Sequence, residues 1–163
     1  MLNPENFLGV VEAAPLVAMD LVLVGGGTEI LLGMRNNRPA QGFWFVPGGR
    51  IRKNEHMHAA LVRVAREELG LQLADLPNQS VHMGVYQHFY DDCFAGDSGI
   101  STHNVVMGNL VHLPKDAVVS ITDAQHSALC WWPLEEAQAS DEVHRFTKDY
   151  VNHLLQTTTA GCA

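Results

Sequence analysis

The stretch GRIRKNEHMHAALVRVAREELGL, residues 49–71, decides the fold. The residues GGRIRKNE, 48–55, predict a loop because they lack apolar periodicity. The remainder predicts a helix from about Glu55 to Leu69, since Asn54 can cap its start and Gly70 suits its end. Apolar residues recur at helical spacing and predict a buried face formed by Met57, Ala60, Leu61, Val64 and Ala65.

Two adjacent carboxylates, Glu67 and Glu68, fall in the last turn of this predicted helix. The macrodipole is negative there, so each anion costs about 0.3–1 kcal/mol. Glu67 lies four residues after Arg63, a spacing that predicts a surface ion pair. Glu68 follows Leu61 and Val64 on the inward face, where a hard cation with oxygen ligands explains its position better. The pattern therefore predicts a cation site at the inner end of the helix.

The rest of the chain predicts mixed α and β structure. Strands are predicted over residues 16–24, 30–35, 43–46, 80–90, 102–113 and 127–132. A short helix is predicted after Pro133 and an amphipathic helix over residues 141–156. The apolar side of that second helix consists of Val143, Phe146, Tyr150, Val151, Leu154 and Leu155.

Length, charge and cysteine spacing limit the class of protein. A chain of 163 residues fits one domain, here residues 1–163. The formal net charge of −8 argues against partners that need a basic face, namely nucleic acid and an anionic membrane surface. No segment has the length of a membrane span, and the N-terminus shows no export signal. The cysteines form no CxxC pair, so we expect reduced thiols and a cytoplasmic protein.

Half of the ten basic residues fall within residues 35–53 of an otherwise acidic chain. A solvated basic surface is one explanation, because charge runs usually face water. The same segment is rich in glycine and proline, which favours a pocket for a compact anion such as a diphosphate. The five residues are Arg35, Arg38, Arg50, Arg52 and Lys53.

The helical segment resembles the Nudix box of nucleoside diphosphate hydrolases. Seven fixed positions of that motif agree at the right spacing, namely Gly49, Glu55, Arg63, Glu67, Glu68, Gly70 and Leu71. The resemblance implies an α+β fold, the Nudix α/β/α sandwich with a mixed sheet and a loop-helix-loop metal motif. It also implies a divalent cation, usually Mg2+ with Mn2+ as a substitute. Val64 departs from the motif, which has a glutamate at this position, so either the protein is inactive or its base lies elsewhere.

Longer strings resemble one branch of this family, the GDP-mannose mannosyl hydrolases, whose box lacks the same glutamate. The strings are NRPAQGFWFVPGGR (37–50), QHFYDD (87–92) and DAQH (123–126). The resemblance extends from about Pro15 to Trp132 and implies hydrolysis of GDP-mannose, or of the related GDP-glucose, to GDP and free sugar. Attack in that branch occurs at the anomeric carbon with inversion. A homodimer is implied as well.

The resemblance implies a single Mg2+ held by the carbonyl of Gly48, the carboxylate of Glu68 and the side-chain amide of Gln125. This set carries one negative charge, which suffices because the diphosphate brings its own oxygens. His126 is implied as the general base, and an imidazole with an unperturbed pKa of about 6.5 suits that role near neutral pH. Taken alone, His126 would more often be an ordinary surface residue.

Other residues are implied as contacts of the nucleotide sugar. Arg35 and Arg50 can stabilise the leaving diphosphate as fixed charges. Asp20 is implied beside the positive charge that grows on the sugar ring, and the alternative is a buried aspartate at a strand end, satisfied by backbone amides. His88 and Tyr90 are candidate substrate contacts, and ordinary loop packing explains them equally well.

Asn104 departs from the branch, which has a tyrosine near the leaving diphosphate at this position. Asparagine can donate a hydrogen bond there but reaches less far, so the departure bears on rate and on sugar preference. The sequence leaves three functions open: hydrolysis of GDP-mannose at carbon, cleavage of another nucleoside diphosphate derivative at phosphorus, and nucleotide binding without catalysis. Val64 and the Gln125-His126 pair favour the first.

Overall fold

A mixed seven-stranded sheet is the central element of the part of the chain that the structure describes. The structure is a computed structural model covering residues 3–71, 79–96, 98–114, 117–122 and 125–160. The strands are β1 (Leu16–Gly25), β2 (Glu29–Arg35), β3 (Trp44–Phe45), β4 (Gly48–Arg50), β5 (Ser80–Tyr90), β6 (Thr102–Leu113) and β7 (His126–Pro133). The helices within these ranges are α1 (Pro4–Ala13), α2 (Met57–Leu69), α3 (Leu134–Ala139) and α4 (Arg145–Ala160).

Strands β1 and β6 run parallel at the centre of the sheet, with Leu16 opposite Asn104 and Gly25 opposite Leu113. The strand order is β3-β2-β1-β6-β5, while β4 pairs with β1 and β7 pairs with β2. These other pairings are antiparallel. Strand β1 is buried over its last eight residues. A strand covered on both faces forms a nearly continuous apolar run, which explains the weak alternation of LVAMDLVLVG.

Helices cover both faces of the sheet, and β1 contributes alternate residues to the two cores. On one face, Met19 and Leu21 pack with α2. On the opposite face, Val22 and Val24 pack with α3 and α4. Because successive side chains of a strand point to opposite faces, Asp20 lies on the α4 face of the sheet.

The N-terminal limit of α2 differs from the prediction. The helix begins at Met57 with His56 in the N-cap position, and Asn54 has a positive φ of 65°, so the predicted Asn54 cap is wrong. Met57 is 53% exposed and does not belong to the inward face, whereas the other four residues predicted there are buried. The predicted end is confirmed, because Gly70 is left-handed and its N–H donates to the carbonyls of Ala65 and Arg66.

Residues 48–50 form strand β4, although the sequence predicted a loop there. The backbone of β4 pairs with residues 18–20 of β1. Pairing with a strand far away in sequence thus overrides the low strand propensity of two glycines. The consequence for the site is that Gly48 is fixed directly beside Asp20.

Other limits confirm or correct the predictions. The strands predicted over residues 80–90 and 102–113 are confirmed with the same limits. Strand β3 keeps two of four predicted residues, and β7 is longer at both ends than SALCWW. Helix α4 begins at Arg145 instead of Asp141, because the preceding chain is held against β3, where the Trp44 amide donates to the Glu142 carbonyl (2.9 Å). The sequence prediction lacked α1, which the Asn3 side chain caps.

Candidate active site

Three polar side chains meet at the inner end of α2. Glu68 is 5% exposed, which confirms the predicted inward direction of this carboxylate. The Gln125 side-chain amide donates to Glu68 Oε1 at 2.7 Å, and His126 Nδ1 lies 3.4 Å from Glu68 Oε2. We call Glu68, Gln125 and His126 the α2-face cluster. The structure therefore brings together two predicted metal ligands and the predicted base.

The main chain holds the α2-face cluster in place through the end of β2. The carbonyl of Gln125 accepts a hydrogen bond from the Asn36 amide at 2.7 Å, and His126 opens β7 opposite Arg35. The first two residues of the DAQH string, Asp123 and Ala124, lie outside the described residues. The pairing of β7 with β2, whose register shifts between Gly33 and Arg35, thus brings His126 to the carboxylate of a helix from another part of the sequence.

The imidazole of His126 lies over a glycine that the sequence reasoning missed. A Cβ atom on Gly33 would overlap the ring, lying 2.9 Å from both Cγ and Nε2. Any larger residue at this position of β2 would therefore displace His126. A single glycine inside a strand pattern often marks a close approach, and that signal could have identified Gly33.

The outer side of α2 carries an ion-pair network that is separate from the α2-face cluster. Arg63 donates to Glu55 at 2.6 Å and to Glu67 at 2.9 Å, and Arg52 reaches Glu67 at 3.1 Å. The predicted surface pair of Arg63 with Glu67 is thereby confirmed. The hydrogen bond from Arg63 is the main cause that lowers the pKa of Glu55 to about 2. Neighbouring glutamates, Glu67 and Glu68, thus face different environments.

Asp20 lies on the opposite face of the sheet, within an aromatic environment. It is 6% exposed in the middle of β1, and the Tyr150 hydroxyl of α4 donates to its Oδ2 at 2.9 Å. The alternative of a strand-end aspartate satisfied by backbone amides is therefore wrong. Burial raises the pKa of Asp20 to about 7, against the opposing effects of the Tyr150 hydrogen bond and the Arg35 charge.

His88 and Tyr90 lie on the same face as Asp20. The His88 ring is 2% exposed and stacks on Phe146, with centroids 4.2 Å apart. Burial, followed by the nearby His144, lowers the pKa of His88 to about 4, so this imidazole is neutral at neutral pH. Burial also raises the pKa of Tyr90. We call Asp20, His88, Tyr90 and Tyr150 the α4-face cluster.

Asn104 lies directly across from His88, on β6. Within the described part of the chain, neither His88 Nε2 nor Asn104 Oδ1 has a hydrogen-bond partner, although both atoms are buried. Buried polar atoms normally find partners. These two atoms could therefore accept hydrogen bonds from the hydroxyl groups of a bound ligand.

The two predicted phosphate-binding arginines occupy different places. Arg35 donates to the Pro39 carbonyl at 3.5 Å, and its charge acts on Asp20 and Tyr90 of the α4-face cluster. The Arg50 guanidinium lies 3.8 Å from the ring centroid of Phe7 in α1. The structure therefore sets Arg35 beside the α4-face cluster and Arg50 beneath the N-terminal helix.

The α2-face cluster and β4 fit the chemistry of a magnesium ion. Glu68 and Gln125 offer hard oxygen donors, and their mutual hydrogen bond holds the carboxylate and the amide side by side. Within the described residues, no group of three or more His, Cys, Asp or Glu side chains is arranged to hold a metal. The amide of Gln125 and a backbone carbonyl such as that of Gly48 are thus the donors that could complete the set.

Comparison with known proteins identifies the class. A model of the NUDIX domain matches residues 14–154, and the chain belongs to this family of hydrolases. The low-salt glycan biosynthesis protein Agl8 of Haloferax volcanii is 44% identical over 126 residues, which are 77% of this chain and 75% of that protein. The Nudix α+β fold predicted from the sequence is confirmed by these matches.

Solved structures agree with this assignment of the fold. The MutT NUDIX hydrolase of Burkholderia pseudomallei superposes with a TM-score of 0.68 at 25% identity, covering 86% of this chain and 98% of that one. The NUDIX domain of Shewanella oneidensis NrtR, in complex with ADP ribose, gives a TM-score of 0.69 at 19% identity, covering 96% and 99%. In the described residues, no helix is long and apolar enough to span a membrane.

Proposed function

We propose that this Nudix protein hydrolyses GDP-mannose, or the related GDP-glucose, to GDP and free sugar by attack of water at the anomeric carbon with inversion. The observation that carries the proposal is the contact of His126 with Glu68 at the inner end of a helix that lacks the usual box glutamate. A base supplied by β7, and not by the helix, matches the branch that attacks carbon.

The surroundings of Val64 support a relocated base. Val64 is 1% exposed and belongs to the apolar core beneath α2. A Cβ on Gly49 would lie 3.1 Å from Val64 Cγ2, so the backbone at Gly49 packs closely against the Val64 side chain. One turn before Glu68, helix α2 thus has the apolar side chain of Val64 where the Nudix box usually has a glutamate. The protein needs another group to activate water, and His126 is the titratable side chain next to Glu68.

Glu68 supports the base role of His126 by selecting its tautomer. A neutral imidazole that faces a carboxylate through Nδ1 carries its proton on that nitrogen. The lone pair then lies on Nε2, which can accept a proton from water. Because His126 is 3% exposed, the site must admit the attacking water together with the substrate. A base on one side of the anomeric carbon and a leaving diphosphate on the other give inversion.

The remaining residues stabilise charge in the transition state. Gly48, Glu68 and Gln125 would hold Mg2+, with Mn2+ as a substitute, and the ion would neutralise the leaving diphosphate. Arg35 and Arg50 add fixed positive charge for the same group. Asp20 places a carboxylate beside the sugar ring, where positive charge develops.

The α4-face cluster would hold the sugar. Neutral His88 and the Asn104 amide both carry buried polar atoms that can pair with sugar hydroxyls, and Tyr90 adds an aromatic wall. The name of the Haloferax volcanii relative supports this substrate class, since it places that protein in glycan biosynthesis, whose activated building blocks include nucleotide sugars.

Hydrolysis in oxygen-18 water tests the proposal. The label should appear in free mannose while GDP stays unlabelled, and proton NMR should show the inverted anomer first. GDP is the decisive product, because its phosphate oxygens do not exchange with water as an anomeric hydroxyl does. Unlabelled mannose kept in the same water for the same time controls for that exchange. Label in a phosphate-containing product would establish attack at phosphorus and reject the proposal.

A further inference from the structure

We infer that Tyr150 of helix α4 is a positioning residue for this reaction, because its hydroxyl fixes the orientation of the Asp20 carboxyl group. The inference rests on the proposed function, in which Asp20 stabilises the positive charge on the sugar. Tyr150 lies outside the Nudix box, in the last of the described helices.

The contact joins two distant parts of the sequence inside the protein. Tyr150 is fully buried, and its hydroxyl donates to Asp20 Oδ2 at 2.9 Å. The other carboxyl oxygen is also confined, because a Cβ on Gly48 would overlap Asp20 Oδ1. One oxygen thus accepts a hydrogen bond, and the other occupies the space that a side chain at position 48 would fill.

Glycines flank Asp20 on both neighbouring strands. Gly48 of β4 and Gly108 of β6 are the residues directly opposite it. A Cβ on Gly108 would lie 2.8 Å from Tyr150 Cε1, so the absence of a side chain there makes room for the ring. One glycine accommodates the carboxyl group and the other the tyrosine that holds it. The two glycines together therefore make room for the contact between Asp20 and Tyr150.

Orientation matters because the ionised form of Asp20 acts through its charge. A fixed charge stabilises a transition state only if it is aimed at the atom where the opposite charge develops. A displacement of about 1 Å can cost as much as 10²-fold in rate. Without the hydroxyl of Tyr150, Oδ2 would lose its side-chain donor among the described residues, and the carboxyl group could rotate about its χ2 bond.

Tyr86 provides a matched control for Tyr150. Its ring packs against the Tyr150 ring, with centroids 4.6 Å apart, and belongs to the same core. The described contacts of Asp20 do not include Tyr86. Replacing either tyrosine with phenylalanine removes one hydroxyl oxygen and retains the ring, so the two variants differ in whether Asp20 loses a donor.

The experiment compares Y150F, Y86F, D20N and the double variant D20N/Y150F with the wild-type protein on GDP-mannose and Mg2+. We expect Y150F to lower kcat about 10-fold to 10²-fold with little change in KM, as for a misplaced catalytic group. Y86F should remain within about 2-fold of wild type, and D20N/Y150F should be no slower than D20N. Urea unfolding establishes that each variant is folded.

Two results would overturn the inference. One is equal kcat values for Y150F and Y86F, and the other is losses that multiply in D20N/Y150F, since independent residues behave in this way. If Y150F does not fold, Gly108→Ala is the second variant, because it displaces the ring and should lower kcat in the same way. The oxygen-18 result for the wild-type protein separates the two claims. Attack at phosphorus rejects the proposed function itself, whereas attack at carbon with an unaffected Y150F rejects only the role of Tyr150.

Discussion

The two faces of the sheet hold acidic side chains in contrasting ways. In the α2-face cluster, Glu68 is bound by an amide and lies beside an imidazole. In the α4-face cluster, Asp20 is bound by one tyrosine hydroxyl among aromatic rings. The first environment can supply oxygen ligands and move a proton, while the second can hold a charge close to an apolar sugar face. The comparison teaches that the proposed reaction uses two different environments: Glu68 and His126 for metal binding and proton transfer, and Asp20 for the positive charge on the sugar.

The largest expected effect concerns the base of the α2-face cluster. Replacing His126 with Ala should lower kcat by about 10²–10⁴-fold, the usual contribution of a general base, while GDP binding stays unchanged. Turnover of GDP-mannose and calorimetric titration with GDP measure the two quantities. His153→Ala is the matched control, since His153 is an exposed residue of α4. Wild-type turnover by the His126 variant would show that His126 is not the general base and that the α2-face cluster does not supply one.

Neighbouring glutamates test whether the α2-face cluster, and not the whole end of α2, binds the cation. Glu68→Gln should weaken Mg2+ or Mn2+ binding by at least about 10-fold, because the only carboxylate of the proposed ligand set is lost. Glu67→Gln should leave affinity nearly unchanged, since the Glu67 side chain is 38% exposed and pairs with Arg63. Calorimetric titration with either metal distinguishes the variants. Equal losses in both would mean that general charge, and not a site, attracts the cation.

A substitution at Gly33 tests whether the activity depends on the exact position of the His126 ring. Gly33→Ala should lower kcat by about 10-fold or more, because the new methyl group would overlap the imidazole and displace it. Gly9→Ala is the control, because a Cβ there meets nothing within 4 Å. Steady-state kinetics and urea unfolding on both variants separate displacement of the base from loss of fold. Unchanged kcat in a folded Gly33 variant would contradict the steric argument.

The sequence predicted the α2 face better than the α4 face, and the reason is physical. Helical spacing alone directs Glu68 inward and Glu67 toward Arg63, and both predictions are confirmed. The contact of Glu68 with Gln125 spans 57 positions. Only the resemblance to the family predicts that these two residues meet, because no local rule brings a loop to a helix end. The Nudix box can therefore be recognised from local spacing, whereas the residues that contact it from elsewhere in the chain cannot.

The α4 face depends on contacts that no periodicity encodes. Tyr150 was correctly placed on the buried side of its helix, but its bond to Asp20 joins residues 130 positions apart. Likewise, Gly48 looked like part of a loop because its partner strand cannot be recognised from two glycines. The chain before α4 also moves the start of the predicted helix from Asp141 to Arg145 by pairing with β3. Each of these misses involves backbone or side-chain pairing at long range, which overrides local propensity.

The smallest expected effect is on stability and concerns His88 in the α4-face cluster. Its pKa is lowered from 6.5 to about 4, so between those values the unfolded chain binds more protons than the folded one. The free energy of unfolding therefore rises with pH in this window and falls as pH drops from 6.5 toward 4. His88→Phe preserves a ring on Phe146 and removes the titrating group. Relative to wild type, the variant should gain about 1–2 kcal/mol between pH 7 and pH 5.

Urea unfolding at pH 7 and pH 5 measures this difference. A slope remains in the variant, because burial also lowers the pKa of His144 to about 4. The control for replacing a histidine is His153→Gln, at an exposed position of α4. Identical slopes in wild type and His88→Phe would mean that folding does not lower the pKa of His88. The α4 face would then carry a protonated imidazole below a pH of about 6.5, and the proposed role of a neutral His88 as a contact of the sugar would fail there.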